Sequence, residues 1–440
     1  MLQTNKNSMF VLLFFIIYPV IPQYFGVAGI SMLKLTTLFA VMLWSGLHFP
    51  GINGTLKIKR LIIVPTISYL VLVTVMSVCY TYHQELMPLF YELISYVLII
   101  PIGISCIKNK VTFLKAIDCL ITVSVIIAIL GIVESFADFN VFSLLNNMGN
   151  SLTYNPLRFG MKRITSFTFQ TISYCSYCMF MLSLIFYRLA GTKRDKRGRY
   201  IVAYLLVAVN SILTLSRSLI LCTILCQVLL LWCCGYKKFI KRMITICLSL
   251  MAGCVVLSMA IPQVGTLVQT IGYMLLAVFN DHYAALLGNV DGTGIGDRAD
   301  LYDWVFRRVG NDIWMGKGVD TPFSYSYTIT SAQGYSYERT KTSLENQYLL
   351  LFYQYGIIGL AATVSAYVSL LYQGLKKITR QKSSWEHKIS FGQMALVTFF
   401  CYFISFFSVH QIDEKRIFVC MVILFISYCV NSKFDYVTLV

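Results

Sequence analysis

Apolar runs of membrane-crossing length recur along most of the chain, and short polar connections separate them. The runs fall near 10–26, 33–47, 61–80, 89–107, 111–133, 167–190, 201–215, 219–234 and 243–261, then from Glu345 to just before Lys376, and finally 389–409 and 417–430. At roughly 20 residues per crossing they predict an all-α polytopic bundle of about twelve transmembrane helices. One interval breaks the rhythm: from about Pro262 to Ser343 the chain is polar enough to build a sizeable surface. One integral membrane domain is expected, with helices 1–9 over 1–261, a large outward loop with an amphipathic helix over 262–344, and helices 10–12 over 345–440. Any chemistry is expected in that loop and at the start of the helix after it.

Composition and charge sharpen this picture. With 57% hydrophobic and 12% charged residues, a soluble globule is excluded, because too little polar surface remains to cover its core. The net charge of +17 is concentrated in alternate connections, at Lys57 to Arg60, Lys108 and Lys110, Lys193 to Arg199, Lys237 to Arg242, and Lys376 to Lys388. That pattern fixes orientation in a membrane and gives no reason to expect nucleic acid as a partner. It puts both termini in the cytoplasm and the polar interval outside. The first run, behind Lys6, reads as half of a retained hairpin rather than a cleaved signal. All 14 cysteines lie in or beside apolar runs, so they read as small buried hydrophobes and no metal is expected.

Several residues carry candidate chemistry. Leu301, Trp304, Val305 and Val309 recur at helical spacing behind Asp297, which reads as an N-cap, and Gly310-Asn311 ends the helix. Arg298 opens that helix, either pairing with a neighbouring aspartate or meeting an anion near the helix N-terminus. Arg217 sits at the predicted outer end of a tight hairpin, where an arginine is costly; it either snorkels to lipid phosphates or joins other outward arginines, Arg163 among them, on an anionic head group. Glu345 either interacts with the dipole of the helix it begins or serves chemistry. Gly356 and Gly359 read as helix-packing residues, and His83, His282 and His410 as isolated surface residues.

Leu213-Thr-Leu-Ser-Arg217-Ser, Arg298-Ala-Asp-Leu-Tyr-Asp-Trp304 leading to Trp314-Met-Gly-Lys-Gly318, and Asn346-Gln-Tyr-Leu followed by Tyr355-Gly-Ile-Ile-Gly359 together resemble motifs of the O-antigen and surface-polysaccharide polymerase and ligase superfamily (Wzy-like and O-antigen ligase-like membrane glycosyltransferases). Arg163-Ile-Thr-Ser-Phe is similar to the family's R-x-x-G-x-F element, with Ser166 in place of the glycine. The resemblance covers about Arg163 to Leu371. It implies a metal-independent, cofactor-free enzyme in the bacterial cytoplasmic (inner) membrane, multi-pass, with an outward active site and polyprenyl-diphosphate-linked glycans as substrates. A chain-length regulator protein is a further implied partner. It implies that a sugar hydroxyl attacks the anomeric carbon of a lipid-linked donor with inversion, Arg163, Arg217 and Arg298 binding the diphosphate and Arg217 and Arg298 stabilising its charge as it leaves. Glu345 would accept the proton, and Asn346 and Tyr348 would bind substrate. Ligases of this kind generally carry histidine where this chain has Glu345, which favours a polymerase. Hydropathy alone also permits a ligase or a twelve-span transporter or lipid-glycan flippase. The long outward loop between runs nine and ten argues against the transporter, whose longest loop tends to be cytoplasmic.

Overall fold

Nine of the predicted runs recur among the described residues as helices with nearly the expected ends, and a tenth helix lies in the polar interval. They are α1 (Pro65–Tyr82), α2 (Leu86–Cys106), α3 (Lys110–Ala137), α4 (Thr171–Gly191), α5 (Gly198–Leu213), α6 (Arg217–Cys233), α7 (Ile295–Val309), α8 (Gln347–Arg380), α9 (Phe391–Ser405) and α10 (Lys415–Val430). The structure, a computed structural model, describes residues 14–22, 24–27, 30–38, 65–107, 109–137, 139–147, 162–168, 170–193, 195, 197–234, 295–330, 336–341, 344, 346–380, 389–407 and 415–430, with isolated positions at 42, 245, 249, 252, 253, 269, 272 and 273. Within these, side chains at 65–67, 295–300, 327–330, 336, 337, 339, 341, 377–380 and 430 are not described. The ninth predicted run, most of the polar interval before 295, and His282, Glu345 and His410 lie outside the described residues.

Among the described residues, α2, α3, α4 and the part of α8 from Gln347 to Lys376 are long and apolar enough to cross a membrane; Ser68–Tyr82, α5, α6 and α9 are apolar but shorter. This is a helical membrane protein. Its outer faces carry apolar side chains that water would penalise, such as Leu70 on α1, Ile126 on α3 and Leu205 on α5, which are 56%, 55% and 58% exposed.

Helix α4 is the axis of the bundle. It is buried along nearly its whole length and packs against α3, α5, α6, α9 and α10. Helix α8 pairs with α1 and α9, and α10 with the second half of α2. Caps and turns set the helix ends. Ser390 opens α9 with a capping box to Gln393, and Asn146 follows the short 3-10 turn Val141–Leu145 behind α3. Two helices depart from regularity: α2 contains a π-helical turn at Leu93–Val97, and α8 breaks at Gly356 (φ 63°, ψ −166°).

The polar interval contributes α7 and a hairpin, β1 (Tyr325–Thr330) with β2 (Ser336–Lys341), paired antiparallel so that Tyr325 faces Lys341. The predicted apolar face of α7 is real. Leu301, Val305 and Val309 bury against Leu344, Leu349, Phe352 and Tyr353, with Trp304 partly buried beside them, so the helix lies on α8. Its start differs from expectation: α7 begins at Ile295, which puts Asp297 inside the first turn and not at the N-cap. The helical pattern of the apolar face was clear from Leu301 onward, but the start had no such marker.

Candidate functional site

Two arginines separated by 54 positions in sequence meet at one end of the bundle. The extended segment before α4 runs along the turn that joins α5 to α6, with Ile164 N–H donating to the Leu213 carbonyl at 3.4 Å. Arg163 Nε donates to the Thr214 carbonyl at 3.1 Å, and Arg217 begins α6 three residues later. Burial, with the nearby Arg217 charge adding to it and Cys175 opposing it, pulls the Arg163 guanidinium down to about 10. At neutral pH it still carries its proton. Arg217 Nε and Nη2 are buried and make no hydrogen bond among the described residues. Two cations close together with unmatched donors cost free energy by themselves, and an anion placed between them would repay both.

The backbone around this corner is unusual. Leu215 and Ser166, neither of them glycine, hold φ values of 52° and 51°. Leu215 is fully buried against Cys175, Leu219 and Ile220, and this packing holds a conformation that costs about 1–2 kcal/mol in an L-residue. The left-handed backbone at Ser166 also explains why the resembled motif places a glycine there.

Glu134 holds the Arg163 segment in place. Its carboxylate, 1% exposed near the end of α3, accepts from Thr165 N–H at 3.1 Å, Thr165 Oγ1 at 3.0 Å and Ser166 N–H at 2.8 Å. Asn140 Nδ2 adds bonds to Thr165 Oγ1 at 3.0 Å and the Ser166 carbonyl at 2.8 Å. In sequence Glu134 directly follows the apolar run 111–133. The available signal was an acid continuing an apolar run of membrane length, where it needs a partner.

A second assembly ties the polar interval to α8. Its outer turns are joined by backbone: Lys317 N–H donates to Tyr353 O at 2.8 Å, Gly318 N–H to Gln354 O at 3.1 Å, and Ile357 N–H to Ile313 O at 2.9 Å. These bonds use groups that the break at Gly356 would otherwise leave unpaired. Gly356 therefore does not serve helix packing as expected. A Cβ there would lie 2.3 Å from the Trp314 carbonyl carbon, and a Cβ at Gly316 would lie 2.5 Å from that of Gln354. Gly359 makes room for the Tyr355 ring. His83 is not an isolated surface residue either. Its Nε2 lies 3.3 Å from the Met315 carbonyl, and neighbouring Glu85, 9% exposed, accepts from Val319 N–H at 2.9 Å and Asp320 N–H at 2.8 Å.

Asn346 caps α8. Its Oδ1 accepts from Leu349 N–H at 3.0 Å, while Nδ2 donates to Tyr302 Oη at 2.7 Å and the Phe407 carbonyl at 3.2 Å. Tyr348 Oη donates to the Phe403 carbonyl at 2.9 Å. Both side chains are thus engaged by the protein itself, joining α8 to α7 and α9. Arg298 lies in the first turn of α7, and its side chain is not described.

Between these two assemblies lies a cavity of about 700 Å³ among α1, α2, α8, α9 and α10. Gln170, which follows the Arg163 segment, lines it from one side; Leu344 and Gln347, which bracket Glu345 in sequence, line it from another. The described thiols, Cys175 and Cys178 included, are free and buried or half-buried.

Residues 202–364 match the family model described as O-antigen ligase. The matched segment runs from within α5 to within α8 and contains Arg217, Arg298, Glu345, Asn346, Tyr348, Gly356 and Gly359; Arg163 lies before it. No curated protein matches the chain. The chain is therefore similar to the O-antigen polymerase and ligase superfamily.

Proposed function

We propose that this chain is a surface-polysaccharide repeat-unit polymerase of the bacterial cytoplasmic membrane, a metal-independent glycosyltransferase of about twelve spans whose large loop and site face outward. The observation that carries the reading is the arginine corner: Arg163 and Arg217 adjacent, with Arg217 Nε and Nη2 buried and unmatched among the described residues. Guanidinium forks suit the oxygens of a diphosphate. Diphosphate is already a good leaving group, so the main catalytic need is to stabilise its charge as the anomeric C–O bond breaks. Arg217 and Arg163 supply that charge, and Arg298 adds to it from the start of α7.

The acceptor is the sugar hydroxyl of another lipid-linked repeat. Its oxygen attacks the anomeric carbon from the face opposite the diphosphate, inverting the centre, and Glu345 takes the hydroxyl proton. Asn346 and Tyr348 fix the start of α8 through their bonds to Tyr302, Phe407 and Phe403. A chain-length regulator is the protein partner that such a polymerase would meet.

A ligase is the second reading, favoured by the description of the matching family. A gel of surface and lipid-linked glycans from cells with and without the chain separates the two. Single repeats on the final carrier and loss of the long ladder support the polymerase. Polymer that persists on the polyprenyl lipid and never reaches the carrier makes it a ligase, with Glu345 in place of the usual histidine.

A further inference from the structure

The cavity holds a charged pair that the proposed chemistry does not use. Lys415 Nζ, at the start of α10, lies 3.3 Å from Glu92 Oε1 on α2 and 5.5 Å from the centre of the Tyr96 ring. The two side chains keep 43% and 29% of their surface open, and both line the cavity. Glu92 immediately precedes the π-helical turn of α2, a distortion that is enriched at functional sites. An acid within a membrane-length helix, paired with a base and facing a cavity, commonly marks a substrate path.

The rest of the lining narrows the occupant. Tyr80 and Tyr355 share a hydrogen bond at 2.9 Å on one wall, Tyr367 and Tyr402 stand on another, and the amides of Gln347 and Gln354 are among the further polar groups. Tyrosine offers an apolar ring face beside a polar tip, which suits a ligand that has C–H faces and hydroxyl edges. An isoprenoid tail could not satisfy the open donors and acceptors of Glu92 and Lys415 and would leave them desolvated. Among the described lining residues these two alone carry charge, and they neutralise each other. A carboxylate beside an ammonium presents an acceptor next to a donor, the match for neighbouring hydroxyls. An acidic sugar would meet Glu92 and an amino sugar would meet Lys415, each without a spare counter-charge. The volume, about 700 Å³, is within the range of small-molecule sites.

Resting on the glycosyl-transfer reading above, we infer that this cavity seats the sugar of the lipid-linked glycan, and that the Glu92–Lys415 pair selects a neutral, hydroxyl-rich ring over acidic or amino sugars.

The test is saturation-transfer NMR on the purified full chain, with methyl glucoside, glucuronate, glucosamine and farnesol as separate probes. The glucoside should receive saturation from the protein, and glucuronate and glucosamine should receive much less. In Glu92→Gln/Lys415→Met the glucoside signal should fall about fivefold or more, the loss of one or two charge-assisted bonds. Wild-type protein is informative by itself if that variant does not fold. Transfer to farnesol alone, equal transfer to all three sugars, or transfer to none would overturn the inference. Arg217→Ala separates the two ideas: it should keep the glucoside signal while chain extension in cells stops. If extension stops in Arg217→Ala but the wild type binds no sugar, the cavity assignment falls and the polymerase reading stands. Extension that survives Arg217→Ala removes the charge-stabilisation reading, whatever the cavity binds.

Discussion

Two arginines at opposite ends of the α3–α6 bundle show how differently the same side chain can be used. At one end, Arg188 of α4 makes a two-pronged pair with Asp118 of α3, Nε to Oδ1 and Nη2 to Oδ2, both at 2.8 Å, and Tyr200 Oη of α5 donates to the same Oδ1 at 2.9 Å. Every strong demand there is met by protein. At the other end, Arg217 has a cationic neighbour and two buried nitrogens, Nε and Nη2, that find no acceptor among the described residues. Glu134, the acid that holds the Arg163 segment, is committed to the Thr165–Ser166 backbone. An arginine whose partners are built in fastens helices together. An arginine left buried with its donors free, beside a second cation, is arranged for an anion that comes from outside.

That contrast can be broken most severely at Arg217. Arg217→Ala should lower chain extension by about 100-fold or more, as removal of a donor to a leaving charge does, while membrane levels of the protein stay near wild type. Arg188→Ala should do the reverse, reducing thermal stability and protein level, with extension per molecule kept. Asp118 is about a third open, so the loss should be about 1–3 kcal/mol, below that of a fully buried pair; thermal melting in detergent and a blot give the two readouts.

Next in size is Gly356→Ala, which forces a Cβ against the Trp314 carbonyl at a φ of 63°. It should open the contact between α8 and the 313–318 turn, seen as protease cleavage in the polar interval and loss of extension together. Glu134→Gln should reduce extension about tenfold, because one of the three bonds to Thr165 and Ser166 must be given up. A structural role alone would lower protein level; a role in placing Arg163 lowers the rate per molecule.

Arg163→Lys tests the charge by pH. The folded guanidinium has its pKa pulled down to about 10 by burial, so it remains charged across the working range of the wild type. Because the folded state sheds this proton before the unfolded one, stability should rise with pH above about 10, the opposite of what loss of an ion pair would give. A lysine starts about two pKa units lower and meets the same desolvation, so the variant should lose extension toward alkaline pH where the wild-type profile is flat. The smallest effect is expected from Ser166→Gly, which should raise stability by about 1 kcal/mol by relieving the left-handed backbone.

How much of this could be read from the sequence depended on range. Membrane-length apolar runs placed α1 to α6 and α8 to α10, since a helix that buries or faces lipid on all sides needs no distant information. Arg217 was visible because a charge inside an apolar hairpin is costly. The motif at Arg163 was visible too, but the strain at Ser166 and Leu215 was not, because neither residue type signals positive φ. The hold of Glu134 on Ser166 spans 32 positions, and the cavity is assembled from five helices that span most of the chain. Such contacts leave no local period. The pairing of Gly316 with Gly356 was equally hidden, since each glycine reads alone as a turn or a packing site.

The most direct test of the central claim is binding of farnesyl diphosphate to the purified full chain, followed by thermal stability for wild type, Arg188→Lys and Arg217→Ala. Ligand at about 100 times its dissociation constant should add about 2.7 kcal/mol to a protein that binds only when folded. The account predicts a clear rise in melting temperature for wild type and Arg188→Lys and none for Arg217→Ala. An equal rise in all three proteins would contradict it and place the diphosphate elsewhere.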